Sequence, residues 1–433
     1  MRDGVTLKKV VVVFKSHFDL GFTDTAKHVF RQMENMFRKA AEVCEQTAHW
    51  PEGKRYVWTV PSWPLWHCLN DASVSRELKN RLEELVRQGR IVYHALPGTL
   101  SSELCGAEDL CRGLSIAREL SEHYGHLPVS AKMTDVPGCA WLMPEVLGAN
   151  GVRFLHLGCN AGCKSPHVPD LFRWQGSGGT LLSTFYSHHG YGTDTLPPDD
   201  WDYPVWLALI HAMDNHGPPS TEEVARVLHT IEEACPEAQV TIGSLDDFYL
   251  ALQPYEEQLP IVTGALTDTW NHGAGSYPQE VSALRRTRES LLDLECSAAV
   301  GFSRGQIDRT TAARLTQCAR RAYCDQFLFC EHTFGLDVKT FLHDRVYEKK
   351  AFLQQKQQPE SRLLEASWEE QREYIRSLRS ELEQMVSLLP GSLGKTAGAA
   401  LRRTDKASAQ MDESHFETPY YQVCVDRKAC KIT

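Results

Sequence analysis

An unbroken apolar run near the start of the chain constrains the fold most. Val10 to Phe14 is β-branched and aromatic throughout, which predicts a buried strand. His17 and Asp19 follow it two residues apart, so both side chains project from one side of an extended segment. Gly21 then allows the backbone to turn. Because α/β folds place their chemistry at the carboxyl ends of buried strands, we expect a functional site here.

Imidazole nitrogen and carboxylate oxygen both suit zinc or a similar divalent metal. An isolated His-x-Asp is nevertheless explained more simply by a surface histidine and a helix-capping aspartate. The metal interpretation of His17 and Asp19 therefore depends on further ligands elsewhere in the chain.

Composition excludes several classes of protein. The chain has 433 residues, enough for two or three domains, and a net charge of -10 that argues against a nucleic-acid partner. It contains no uncharged apolar stretch of about 18 residues that could cross a membrane. The 14 cysteines form no Cys-x-x-Cys pair, which favours reduced, mostly buried thiols. We predict a cytoplasmic protein, because the first residues do not resemble a signal peptide.

Strand and helix patterns alternate through the first two thirds of the chain. Helices are predicted over 25–47, 108–124 and 221–234, and strands over 91–95 and 239–242. The alternation indicates an α/β fold with a parallel sheet over residues 1–275.

The pattern changes near residue 276. Apolar residues at helical spacing predict three long helices, and hence a helical bundle, over 276–392. A linker follows at 393–414. Residues 415–433 are interpreted as one strand without a partner, the first strand of a truncated β-sandwich domain.

Three other residues could join His17 and Asp19. Asp135 follows a predicted strand, His332 lies in the helical region, and Asp214 precedes a Gly-Pro break. Each has an ordinary alternative: a turn aspartate for Asp135, a packed core histidine for His332, and a helix-end turn residue for Asp214.

Taken in order, these stretches resemble the α-mannosidase-like enzymes of glycoside hydrolase family 38, in a divergent branch. The matching features are the strand ending in His17-Phe18-Asp19, the segment from Asp135 to Leu147, and the apolar helix leading into Leu328 to Gly335. The resemblance implies a seven-stranded (β/α) barrel-like catalytic domain, a helical bundle and the start of a β domain. The family's usual Phe-Gly-His-Ser is replaced here by Val136 to Cys139.

The resemblance also implies a retaining, metal-dependent α-glycosidase. Its one divalent metal, expected to be Zn²⁺, would be bound by His17, Asp19, Asp135 and His332. Asp135 would be the nucleophile. Asp214 is the candidate general acid, chosen by its position in the chain.

Substrate contacts are predicted from residue type alone, because aromatic faces suit the CH patches of sugars. A core role is equally compatible with each of these residues. The candidates are Trp58, Trp63, Trp174, Trp270 and His272.

Alternative interpretations stay open at this point. A structural zinc could be bound by His156, Cys159, Cys163 and His167. Their spacing is not that of a common zinc finger, however, and Gly158 and Gly162 suggest an active-site loop instead. A metal-dependent sugar deacetylase and an inactive carbohydrate-binding remnant are the rival functions. The expected partner is a carbohydrate substrate, and the sequence allows a homo-oligomer without requiring one.

Overall fold

The computed structural model describes residues 6–135, 138–266, 275–337, 348–391, 393–394, 415–417, 422–426 and 431–432. By internal contacts the chain divides into two compact units. One comprises Met1–Pro278 with Tyr323–Tyr374, and the other Gln279–Ala322 with Ile375–Thr433. All of the residues discussed as a site below belong to the first unit. The domain boundaries inferred from the sequence stay predictions.

The described strands are β1 (Lys9–Ser16), β2 (Trp58–Pro61), β3 (Ile91–His94), β4 (Ser130–Asp135), β5 (Phe154–Cys159), β6 (Leu171–Gln175), β7 (Leu181–Ser187), β8 (Val205–Ala212), β9 (Gln239–Ile242), β10 (Ile261–Thr263), β11 (His415–Glu417), β12 (Gln422–Asp426) and β13 (Lys431–Ile432). The described α-helices are α1 (Ala26–Gln46), α2 (Ser62–Asn70), α3 (Arg76–Arg87), α4 (Ala107–Tyr124), α5 (Met143–Ala149), α6 (Thr221–Ala234), α7 (Leu245–Leu252), α8 (Pro278–Ser303), α9 (Arg309–Cys330), α10 (Lys349–Gln355) and α11 (Pro359–Leu388).

Two sheets of five strands form the first unit. In one, the order is β3-β2-β1-β8, and β9 also pairs with β1; every pairing is parallel. In the other, the order is β10-β6-β7-β5-β4, with only β6 and β7 antiparallel. The α/β class is confirmed. The expected seven-stranded barrel stays a prediction: the described strands form two sheets, in one of which the β6–β7 pair is antiparallel.

Strand β1 lies at the centre of the first sheet. Val10 to Phe14 are fully buried, as a strand covered on both faces requires. Lys9 to Val12 pair with β9, while Phe14 and Lys15 pair with β2. His17 and Asp19 therefore start from a backbone that is held on both sides.

The start of helix α1 is capped by a distant residue. Asp24 stands just before the helix, but its carboxylate accepts from the N–H of Thr25, the residue that precedes the first turn. Glu370 accepts instead from the backbone N–H groups of Ala26 and Lys27, at 2.7 and 3.3 Å. Tertiary contact thus supplies the carboxylate that the first turn needs.

The segment after α9 belongs to the first unit and is held there by backbone contacts. Glu331 forms an antiparallel bridge with Leu100, and Leu336 a parallel bridge with Phe22. The His332 N–H donates to the Thr99 carbonyl at 3.1 Å. These contacts fix the backbone on both sides of His332.

The three predicted long helices are present as α8, α9 and α11. Within the described part of the chain, no helix has both the length and the apolar composition needed to cross a membrane. The prediction of one unpartnered strand at 415–433 is wrong, because β12 pairs antiparallel with both β11 and β13. Most of the predicted linker at 393–414 lies outside the described residues.

Candidate metal centre and active site

Four of the predicted residues converge at the carboxyl ends of β1 and β4. His17, Asp19, Asp135 and His332 each offer one ligand atom, and these atoms all lie within 4.8 Å of one another. His17 Nε2 and His332 Nε2 are 3.2 Å apart. Asp19 Oδ1 lies 3.1 Å from the first and 3.0 Å from the second. His332 Nε2 is also 3.1 Å from Asp135 Oδ2.

Because this cluster is largely buried, its charged groups shift one another's pKa values strongly. Burial acts to raise the pKa of Asp19, but the charge of His17 and hydrogen bonds from both imidazoles hold that pKa well below its usual value. Burial also acts to raise the pKa of Asp135, but contacts with His332 and His17 lower that pKa to about 2. Both carboxyl groups are therefore ionised at neutral pH.

The donor set fits a divalent cation. Two imidazole Nε2 atoms and two carboxylates directed at one point are a typical zinc ligand set. Asp19 Oδ2 is buried and has no hydrogen-bond partner among the residues that the structure describes. Buried anionic oxygens are normally satisfied, which makes a cation the natural partner for this one.

Glu331 orients His332, the candidate ligand that follows α9. Its Oε1 lies 2.5 Å from His332 Nδ1, while its Oε2 accepts from the backbone N–H and the hydroxyl of Thr333. A carboxylate at Nδ1 holds the proton there and leaves the Nε2 lone pair free for a metal. Burial lowers the pKa of His332, but the Glu331 charge and bonds to both aspartates outweigh it, so the pKa lies well above its ordinary value.

Asp135 is held in an unusual backbone conformation. Its φ of 86° lies in the left-handed region that non-glycine residues seldom occupy. Its Oδ1 accepts from Asn160 Nδ2 at 2.9 Å and from the hydroxyl of Tyr191, and Asn160 also contacts Tyr191. One carboxylate oxygen thus faces the cluster while the other is held by neutral donors.

Two glycines permit the loop that carries Tyr191. A Cβ at Gly158 would lie 2.4 Å from the Gly190 carbonyl oxygen, and one at Gly192 would lie 2.3 Å from that of Leu209. Neither approach is possible with a side chain present. Close backbone packing therefore places the Tyr191 hydroxyl on Asp135.

Asp214 follows β8 and is adjacent to Asn215, which bonds the backbone just after β1. The next residue, Asn215, bonds the Asp19 N–H through Oδ1 and the Asp19 carbonyl through Nδ2, both at 3.1 Å. Asp214 is half-buried. Burial, followed by the charge of Asp19, raises the pKa of Asp214. This carboxyl therefore holds its proton to higher pH than Asp135 does.

Sequence reasoning missed Tyr191, Asn160, Asn215 and Glu331. Only Glu331 had a visible signal, since a carboxylate adjacent to a candidate histidine ligand can orient it. The other three lie in loops of irregular pattern, where no periodicity indicates direction.

Three of the five predicted sugar-contact residues, Trp58, Trp63 and Trp174, are buried. Trp58 is fully buried, with ring centroids 5.1 Å from Phe37 and 5.8 Å from Phe18. Trp174 is also fully buried, and its Nε1–H donates to the Gly264 carbonyl. Rings covered in this way cannot stack on a sugar. Their burial supports the alternative, a role in the core. Trp63 is buried as well. Trp270 and His272 lie outside the described residues.

The alternative zinc cluster does not assemble. His156 lies inside the sheet against Ser187, and the Cys159 thiol contacts the His188 carbonyl. Within the part of the chain that the structure describes, the four-residue centre around His17 is the one group whose ligand atoms converge. Cys163 and His167 do not join His156 and Cys159.

The fold and the site define the class: an α/β protein with a buried His/Asp centre at the carboxyl ends of parallel strands. Residues 8–234 match the N-terminal domain of the glycosyl hydrolases family 38, and residues 302–432 match a domain of unknown function, DUF5054. The first match covers more than half of the chain, and the chain belongs to glycosyl hydrolase family 38.

Two solved structures share the fold. An alpha-mannosidase from Enterococcus faecalis V583 aligns with a TM-score of 0.61 at 14% identity, over 92% of this chain and 43% of that one. A protein in glycosyl hydrolase family 38 from Enterococcus faecalis aligns with a TM-score of 0.54 at 14% identity, over 86% and 41%. The chain thus spans less than half the length of either structure. No curated protein sequence matches it significantly.

Proposed function

We propose that this protein is a retaining α-glycosidase of the α-mannosidase type that depends on one divalent metal, expected to be zinc. The observation that carries the proposal is the convergence of His17, Asp19, Asp135 and His332 from three distant parts of the chain. Family membership and the fold shared with an alpha-mannosidase support the reaction class.

His17, Asp19, Asp135 and His332 would hold the metal. When bound, it would supply Lewis-acid binding of adjacent sugar hydroxyls and so orient the ring. A substrate oxygen would have to raise the coordination number of the metal above the four protein ligands, as zinc allows when it becomes five-coordinate.

Asp135 is the proposed nucleophile. Its pKa of about 2 keeps the carboxylate ionised at neutral pH. Hydrogen bonds from Asn160 and Tyr191 fix the orientation of the attacking oxygen. In the first step a bond forms from Asp135 to the anomeric carbon as the bond to the leaving oxygen breaks, which gives a covalent glycosyl-enzyme.

Asp214 is the proposed general acid. Its raised pKa lets it deliver a proton to the leaving oxygen as that bond breaks. In the second step the Asp214 carboxylate takes a proton from the water that releases the sugar, and the two inversions give net retention.

Trapping of the intermediate tests this function. A fluorinated glycosyl fluoride should leave one sugar on the protein, located at Asp135 by peptide mass analysis, and Asp135→Asn should remain unlabelled. Aryl α-mannosides should be hydrolysed only after a metal is supplied to the metal-stripped protein. Release of acetate from acetylated sugars without any labelling of Asp135 would instead identify a deacetylase.

A further inference from the structure

The first sheet loses its strand pairing just before the candidate metal ligands. The β1–β8 ladder ends at the pair Ser16 and Ala212. Beyond it, one long bond remains between these strands, from the His17 N–H to the Ala212 carbonyl at 3.5 Å. His17 and Asp19 are each 1% exposed, so their backbone groups are removed from water. Because a buried backbone N–H or C=O needs a partner, other groups must replace the ladder here.

Asn215 supplies these partners. Its backbone N–H donates to the His17 carbonyl at 2.9 Å. Its side-chain Oδ1 accepts from the Asp19 N–H and its Nδ2 donates to the Asp19 carbonyl, both at 3.1 Å. Nδ2 also donates to Thr23 Oγ1 at 2.7 Å. In the described part of the chain, neither Asp19 group bonds to a backbone atom. The side-chain amide of Asn215 therefore takes the place of a peptide unit in the interrupted ladder.

A tight turn joins Asn215 to the proposed general acid. The His216 N–H donates to the Met213 carbonyl at 2.9 Å, so Asp214 and Asn215 are the two central residues of a four-residue turn. The φ of Asn215 is 52°, in the left-handed region that some of these turns require at their third residue. Because the two central residues are adjacent in a closed turn, a displacement of Asn215 would displace Asp214 as well.

We propose that Asn215 is a positioning residue that fixes the metal ligand Asp19 and the acid Asp214 relative to each other. The proposal deepens the proposed glycosidase function, and it rests on that function for the role of Asp214. Asn215 acts through the backbone of Asp19 and through the turn that carries Asp214. Such an anchor matters because a misplacement of about 1 Å at a reacting group can reduce the rate about 100-fold.

The left-handed backbone offers a simpler explanation of asparagine at this position, because asparagine adopts that conformation more readily than most residues. Glycine adopts it more readily still. The variant Asn215→Gly therefore separates the two explanations. It keeps the backbone conformation and removes the three hydrogen bonds of the side-chain amide.

Zinc affinity tests the proposal without any assay of activity. In competition with a chelator, Asn215→Gly should bind zinc at least about 10-fold more weakly than the wild type, in the range found for groups that orient ligands. Asn70→Gly is the matched control, because Asn70 is exposed and its side chain bonds the Trp66 carbonyl; it should keep wild-type affinity. Wild-type zinc affinity in Asn215→Gly would overturn the proposal. A wild type that binds no zinc would refute the proposed function itself, so the two failures are distinguishable.

Turnover at saturating zinc tests the link to Asp214. Asn215→Gly should lower turnover of substrates with poor leaving groups by about 100-fold, and turnover of activated aryl glycosides much less, because a displaced acid matters only where the leaving oxygen needs a proton. A merely structural defect would lower both equally, and equal losses would overturn the link.

If Asn215→Gly does not fold, Asn215→Ser decides the matter. Its hydroxyl can replace one of the lost hydrogen bonds, so it should show the same contrast between the two kinds of substrate to a smaller degree. A ratio of the two turnover rates equal to that of the wild type would overturn the proposal.

Discussion

His17 Nε2 and His332 Nε2 lie 3.2 Å apart although 315 residues separate them in the chain. The first follows β1, and the second lies in the segment that pairs with Leu100 and Phe22. Asp19 Oδ1 lies at similar distances from both nitrogens, so the three atoms can share one metal ion. Metal binding there would couple two distant parts of the chain, because ligands from separate elements link binding to folding.

We expect His332→Ala to lower zinc affinity by more than about 100-fold, since it removes a ligand rather than its orienting group. Turnover should be lost. The rise in unfolding temperature that zinc produces in the wild type should disappear in the variant. Metal content and thermal unfolding with and without zinc measure both effects.

His229→Ala is the matched control, because His229 is a surface residue that pairs only with the exposed Glu233 in the described structure. It should retain the zinc-dependent rise. Equal destabilisation of His332→Ala with and without zinc would identify His332 as an ordinary packed histidine.

Glu331→Gln should weaken zinc binding by about 10- to 100-fold, because an amide orients His332 Nδ1 less strongly than a carboxylate. The fold should persist, since the side chain keeps its size. Competition with a chelator gives the affinity, and Glu52→Gln at an exposed position is the control. Unchanged affinity would exclude an orienting role for Glu331.

Asp214→Asn should reduce turnover by about 10²- to 10⁴-fold for substrates with poor leaving groups. Activated aryl glycosides should be affected less, because they need little protonation. The pKa of Asp214 is raised, so its acid form persists to higher pH, and wild-type turnover should fall as pH rises through that pKa. The variant should lack this limb of the pH profile; a limb that survives would assign the acid to another group.

Gly158→Ala should lower turnover while leaving zinc content unchanged. Its Cβ would collide with the Gly190 carbonyl and displace Tyr191 from Asp135 without touching a metal ligand. Steady-state kinetics and metal analysis separate these effects. Gly275→Ala, where no atom lies within 4 Å of the added Cβ among the described residues, should behave as the wild type.

Local signals were sufficient for several elements. Helix α6 begins and ends at the predicted residues, Thr221 and Ala234, and its start is marked locally by a capping box of Ser220 and Glu223. The apolar run of β1 likewise identified the central strand. Family membership, inferred from the order of the motifs, is confirmed by the match over residues 8–234.

Signals from distant residues were out of reach. Glu370 accepts from the N–H of Ala26 at the start of α1 although 344 residues separate them, and no local pattern could indicate it. The antiparallel pairing of β6 and β7 fell in a stretch without regular periodicity. The burial of Trp58 and Trp174 could not be predicted either, because the sequence does not distinguish an aromatic residue in a core from one in a binding cleft.

The sequence by itself determined the α/β class, the central strand and the residue types at its end, because periodicity and β-branching act over a few neighbouring positions. Tertiary structure decided the rest: that His332 faces His17, and that Tyr191 and Asn160 hold Asp135. These relationships depend on strand register and loop packing, which bring residues together only when the whole unit folds.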